Sequence, residues 1–213
     1  MTATRYLTAA EHEAVRKAIE DAERRTSGEI HCVLAQRSDS YLLPAAFFLT
    51  IAIIGLSLVA AIALHLYWLS LPLYQFVLAQ MTAVLTGFGV LLAWPRIRIH
   101  FVPRSLRYRR AHENARRQFV GRNIHLTRQR TGVLIFLSME EHYAEVLADS
   151  GIASKVPQER WNEAVDRLVG QASQGHMAQA FSAAIALVGE ELALHFPPEP
   201  DDPNELSDHL AEI

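Results

Sequence analysis

Between Tyr41 and Pro95 the 213-residue chain has no Asp, Glu, Lys or Arg, and the only imidazole there is His65. Surface helices need a polar face, so a charge-free block of this length excludes an ordinary amphipathic domain at that place. Cysteine is nearly absent as well. Cys32 stands alone, which excludes an internal disulfide and suits a reducing compartment. Met1 to Glu29 is charged and helix-like, without the apolar core of a signal peptide, so the N-terminus is expected to stay in the cytoplasm. There is no Gly-rich phosphate loop, no paired Cys-x-x-Cys pattern and no recognisable nucleophile motif.

What is present is segregated. The charge-free block holds two apolar runs, Leu42 to Leu66 and Leu73 to Trp94. Each suffices to cross a hydrocarbon core about 30 Å thick, for which roughly 20 helical residues are needed. Tyr67, Trp68, Ser70, Pro72 and Tyr74 form the turn between them, and Trp94 with Pro95 marks the other interface. Arg37 precedes the first run, and Arg96, Arg98, Arg104, Arg107, Arg109 and Arg110 follow the second, whereas the turn carries no Lys or Arg. Positive residues stay inside, which predicts a two-span protein of the inner (cytoplasmic) membrane with both termini cytoplasmic. The six arginines are expected to contact lipid headgroups and not nucleic acid, because they adjoin a span and lack aromatic interleaving. Uncharged spans argue for an anchor over a transporter subunit. Ala79, Ala83 and Gly87 recur at four-residue spacing, which suits packing of the hairpin on itself or homo-oligomerisation.

The division is therefore 1–40, first part of a cytoplasmic domain; 41–95, the hairpin; 96–196, the second part with its basic juxtamembrane segment; and 197–213, an acidic tail. Thr8 to Glu11 reads as a capping box opening a helix with Val15, Ala18, Ile19 and Ala22 on one face, and Gly28 suits a left-handed position after it. Glu29 to Gln36 is a short strand. A helix is expected over Ser105–Arg122, then a strand at Val133–Leu137, a polar turn at Glu140, Glu141 and His142, and a returning strand at Tyr143–Leu147. Two helices follow. Trp161, Val165, Leu168, Val169 and Ala172 stripe the first, which Gly175 ends, and Met177, Ala180, Phe181, Ala184, Ile185, Val188 and Leu192 line the second. This order predicts a small α/β sandwich with the first two strands parallel and the third antiparallel to the second. In the tail, Asp202-Pro-Asn-Glu205 with Leu206, Leu210 and Ile213 fits a docking helix, with a frayed solvated end as the equal alternative.

Arg25-Thr-Ser-Gly-Glu-Ile-His-Cys-Val-Leu34 resembles the first strand of the TPM domain, and Arg130-Thr-Gly-Val-Leu-Ile-Phe-Leu-Ser138 with Glu145-Val-Leu-Ala-Asp-Ser-Gly-Ile152 resembles its second and third strands. The resemblance covers the first 37 residues and about 105–196. It implies an α/β sandwich of TPM type, here interrupted by the transmembrane hairpin between first strand and following helix. That family includes thylakoid-lumen, photosystem-repair and receptor-accessory proteins, is often labelled phosphatase, and has members similar to calcium-binding proteins. The chain departs from the pattern at Pro157-Gln-Glu-Arg160, where an acid is expected before the Trp161 helix.

Glu29 and Asp149 match motif positions of the family. The strand order also puts both at the sheet edge opposite the hairpin, and hard cations take clustered carboxylates. They are the candidate ligands for calcium or another divalent cation, with a capping or salt-bridge role as the alternative; Asp39, Glu140 and Glu141 form a second group, of which Glu140 and Glu141 read most simply as a solvated turn. Cys32 is read as core. The expected function is a membrane-anchored accessory module that binds a membrane protein complex or a cation. The alternative is a metal-dependent phosphatase.

Overall fold

The computed structural model describes residues 6–68, 72–198 and 207–213. The chain divides into two compact units, Met1–Ser38 with Arg109–Ile213, and Asp39–Tyr108. The stretch from Arg96 to Tyr108 thus groups with the apolar hairpin.

In the first unit, α1 (Ala9–Glu23) begins at Thr8, whose side chain accepts from the Glu11 backbone while the Glu11 carboxylate accepts from the Thr8 N–H. These reciprocal bonds satisfy two amides that have no partner within the helix. The helix leads to β1 (Glu29–Ala35). Strands β2 (Gly132–Ser138) and β3 (Tyr143–Ala148) follow later in the chain. β1 and β2 run parallel with Glu29 opposite Gly132 and Ala35 opposite Ser138, and β3 returns antiparallel to β2. Every residue of β1 and β2 is buried, which explains why both read as apolar runs without alternation.

Two faces are covered differently. Ile30, Cys32, Leu34, Val133, Ile135, Leu137 and Val146 join the large core with α1, α6 (Gln158–Ala172) and α7 (Met177–His195). Val33, Ala35, Leu134 and Phe136 face a smaller cluster with Ala115 and Phe119 of α4 (Arg104–Gly121) and with Ile124 of a one-turn 3-10 helix, Ile124–Leu126. A four-residue helix, α5 (Ser150–Ala153), links β3 to α6 and is capped by Asp149. Gly175, at φ 84°, makes the left-handed turn between α6 and α7.

Three expectations change. Helix α1 stops at Glu23 with Arg24 as its C-cap, so Gly28 is not a left-handed terminator. A Cβ on Gly28 would lie 3.0 Å from Leu192, and a small residue is needed there for packing. Val169 is 43% exposed and Ala164 is buried in its place, a small rotation of the α6 stripe that keeps Trp161 and Leu168 inside. The described end of the tail is neither helix nor loose: β4 (Ala211–Glu212) pairs parallel with β1, giving sheet order β3-β2-β1-β4. The outer edge of a buried strand has amides and carbonyls to satisfy, and an extended segment does so where a helix cannot. The part of the expected tail helix at Asp202–Glu205 lies outside the described residues.

In the second unit, α2 (Leu42–Leu66) and α3 (Leu73–Ala93) form the hairpin, with a 3-10 helix at Pro95–Phe101 after it. Tyr41, at φ 53°, turns the chain into α2 and is buried with Ala45, Leu91, Ile99 and Val102. A Cβ on Gly87 would lie 2.9 Å from Leu49, so this member of the small-residue series packs the hairpin on itself. Helices α2, α3 and α7 are long and apolar enough to cross a membrane; the most apolar stretch is 0%, 6% and 50% buried, respectively.

Candidate functional site

The parallel register sets Glu29, Gly132 and Asp149 side by side across three strands, for Glu29 is opposite Gly132 and the Asp149 N–H donates to the Gly132 carbonyl at 2.9 Å. Both carboxylates are buried, at 8% and 7% exposure. Between them the backbone of Ile124 lies so close over Gly132 that a Cβ there would meet the Ile124 oxygen at 2.4 Å. The structure therefore brings Glu29 and Asp149 to one end of the sheet, with Ile124 above the residue that separates them.

Asp149 itself is half satisfied. Its Oδ1 accepts from the Ser150 N–H at 2.6 Å, capping α5, while Oδ2 is buried without a hydrogen-bond partner. Arg130 Nη1 is 3.9 Å from that oxygen. Arg130 has φ 57°, and the same turn brings the Gln129 and Arg130 carbonyls against Gly151, where a Cβ would lie 2.7 and 2.6 Å from them. Glycine in Asp149-Ser-Gly151 is thus required by close backbone approach. Among the described residues no three His, Cys, Asp or Glu side chains are grouped as a metal would need.

Other buried ionisable groups emerge only from the tertiary structure. Glu23 accepts from the Ile30 N–H at 2.8 Å. Burial pushes its carboxyl up to about 8 against that hydrogen bond, and Glu29, Asp208 and Glu20 add to the rise. Burial drives His31 down to about 4, helped by the positive charge of Arg122 and opposed by the Ser207 carbonyl. Cys32 is fully buried, as expected of a core residue, and burial raises its thiol far above the ordinary range.

In the second acidic group one member overturns its reading. Glu141 is 1% exposed, not part of a solvated turn. It accepts from the Ser38 N–H at 2.8 Å and from the Ser138 hydroxyl, and Ser38 and Ser138 hydroxyls lie 3.0 Å apart. The carboxylate therefore holds the last residue before the chain leaves for the hairpin. Asp39 accepts from the Ser40 N–H at 2.6 Å. Glu140 is half-buried. On the α4 face of β3, Glu145 joins His112 Nδ1 at 2.9 Å and the Tyr143 hydroxyl at 2.9 Å. No spacing in the sequence marks these contacts.

The arginines behave individually. Arg98 donates to the Leu91 carbonyl at 2.8 Å and so caps the end of α3. Arg104 stacks on Tyr108 at 4.9 Å. Arg109 and Arg110 lie 4.0 and 3.1 Å from Glu113. Arg96 is exposed and Arg107 half-buried.

A four-stranded mixed sheet with helices on both faces, interrupted by an apolar hairpin, defines an α/β sandwich of membrane-protein composition. Residues 95–191 match the family model described as the TPM domain. The match leaves out α1 and β1, which the structure places in the same sheet and core. Among solved structures, the NMR structure of the BA42 protein from the psychrophilic bacterium Bizionia argentinensis has the same fold at TM-score 0.61 and 21% identity, covering 98% of this chain and 97% of that one. A search of the curated proteins finds no match.

Proposed function

We propose that the chain is a membrane-anchored accessory module whose TPM-type domain faces the cytoplasm and binds a membrane protein partner or a divalent cation. The observation that carries the anchoring is the exposure of α2 and α3: two uncharged helices of 25 and 21 residues whose most apolar stretches are 0% and 6% buried. So much exposed apolar surface is stable in lipid and not in water. Arginines flank the hairpin on the side of the termini and are absent from its turn, which favours cytoplasmic termini in the inner membrane. Arg96, Arg104 and Arg109 are exposed there and suit anionic headgroups.

A cation reading rests on Asp149. Its buried Oδ2, which accepts no hydrogen bond, with the Gln129 and Arg130 carbonyls packed close to the same turn, supplies hard oxygen ligands of the kind calcium takes. Glu29 would contribute charge from the same end of the sheet. Arg130 competes for that oxygen, so binding is expected to be weak.

Carbonate extraction of membranes tests the anchor: the full-length chain remains in the pellet, and recovery in the supernatant refutes the reading. Calorimetric titration of the detergent-solubilised chain with calcium tests the cation, with heat that disappears in Asp149→Ala as the supporting result. Turnover of phosphomonoesters that is lost in both Glu29→Ala and Asp149→Ala would replace the accessory reading by a phosphatase.

A further inference from the structure

The β1 edge of the sheet is closed by a segment far away in sequence. Ala211 and Glu212 are register partners of Val33 and Leu34. The Ile213 N–H donates to the Leu34 carbonyl at 3.0 Å, and the Gln36 N–H donates to the Ile213 carbonyl at 2.8 Å. Side chains add the selectivity. Leu210, 5% exposed, enters the large core. Glu212 receives the Tyr6 and Leu7 N–H groups at 3.1 Å each and lies 2.9 Å from His12 Nε2. The seat thus reads an extended backbone carrying leucine and, two residues on, a carboxylate.

The seat is elaborate and the strand is minimal. Its receptor groups come from α1, the residues before it and β1, whereas only two residues of β4 are in ladder register. A strand held by so few backbone bonds is released more readily than the elements that receive it. Identical copies offer identical strands and seats, so a released strand finds a matching edge in its neighbour. The opposite edge, β3, has no such occupant among the described residues, although a groove of about 720 Å³ runs beside it.

We infer that residues 207–213 are an exchangeable strand, and that the β1 edge accepts the same segment from a second copy of this chain. The strand geometry is independent of the anchoring reading. Only the high local concentration of copies rests on it, because tethering to one membrane turns encounter into a near-intramolecular event.

Disulfide trapping between register partners tests exchange. Val33 and Ala211 are neighbours across a ladder spacing of about 4.8 Å, within reach of a disulfide. Two differently tagged full-length chains, both Cys32→Ala, are co-expressed, one with Val33→Cys and the other with Ala211→Cys, and the isolated membranes are oxidised with copper phenanthroline. The expected result is a mixed-tag disulfide dimer. Adding Glu212→Ala to the Ala211→Cys chain removes three hydrogen bonds to one carboxylate and should lower its yield at least tenfold. A chain carrying both cysteines is the control. If it closes an internal disulfide while the mixed pair gives no dimer, the strand is a permanent staple and exchange is refuted. If neither disulfide forms, the pairing itself is wrong. A Val33→Cys adduct with a different protein, in place of the partner copy, also overturns the inference. Dimer in membranes that vanishes in dilute detergent leaves exchange standing and assigns it to the tether, whereas failure of the anchor alone is read separately in the carbonate supernatant.

Discussion

Helices α2 and α7 are both apolar enough to cross a membrane, yet they meet opposite surroundings. The most apolar stretch of α7 is half buried, and Phe181, Ala184, Ile185, Val188 and Leu192 lie in the large core. Near its end Glu191 receives Arg160 of α6, a partner available only within a folded domain. The corresponding stretch of α2 is wholly unburied and carries no charged residue, and the helix exposes Leu43, Leu56, Leu58 and Leu66. Length and apolarity are therefore shared between a core helix and an exposed one. What separates them is whether apolar groups have protein neighbours and whether charged groups have partners.

The largest expected effects come from placing the same charge in each helix. Ile185→Arg buries an unpaired cation where the native side chain is 1% exposed, and it should cost upward of about 4 kcal/mol and abolish the cooperative melt of the detergent-solubilised chain. Leu58→Arg should leave that melt in place but weaken membrane insertion by about 2.5–3.5 kcal/mol, seen as chain in the carbonate supernatant. If both variants lose the melt, the hairpin is part of a soluble core and the comparison fails. Truncation sharpens it: Phe181→Ala should destabilise by about 3–5 kcal/mol in denaturant titration, whereas Leu85→Ala, at a 66% exposed position, should shift the same titration by less than about 0.5 kcal/mol.

Glu23 adds a pH dependence confined to the sandwich. Its folded carboxyl is pushed up to about 8 from an ordinary 4.5, so the native state holds a proton that the unfolded chain releases. Stability from this group is present at low pH and is lost as pH rises through 8. His31 acts with the opposite slope, because its folded ring sits at about 4 against 6.5 unfolded, and its contribution is lost as pH falls through that interval. Above 6.5 only the Glu23 effect operates, and the wild-type chain should lose roughly 2 kcal/mol between pH 6.5 and 8. Glu23→Gln should flatten that loss in chemical denaturation. A smaller effect than either titration is expected at the helix cap, where Thr8→Ala should cost about 1 kcal/mol in thermal melts.

Much of the fold was legible because its signals are local. The capping box at Thr8, the apolar runs of β1 and β2 and the stripes of α7 depend on residues within a few positions of one another. Their relative directions followed from connection length: a long crossover makes β1 and β2 parallel, and a tight turn makes β3 antiparallel. The site was less legible. Glu29 and Asp149 were placed at one end of the sheet by topology, but the Ile124 backbone over Gly132 and the half-satisfied state of Asp149 depend on loop paths with no periodic signature. Glu141 was missed because an acid in a polar turn is ordinarily solvated, and only the return of Ser38 to Ser138 buries it.

By itself, the order of residues determined the charge-free hairpin, the helices and the central strands, since hydropathy, capping and turn chemistry act over one or two turns of chain. Tertiary structure alone decided that the acidic end becomes a fourth strand. Leu210 and Glu212 carry no strand signal of their own; they acquire one when β1 presents an open edge and when Tyr6, Leu7 and His12 supply three donors to a single carboxylate. Satisfying buried backbone and charged groups is a condition on the whole folded chain, and a segment read in isolation does not contain it.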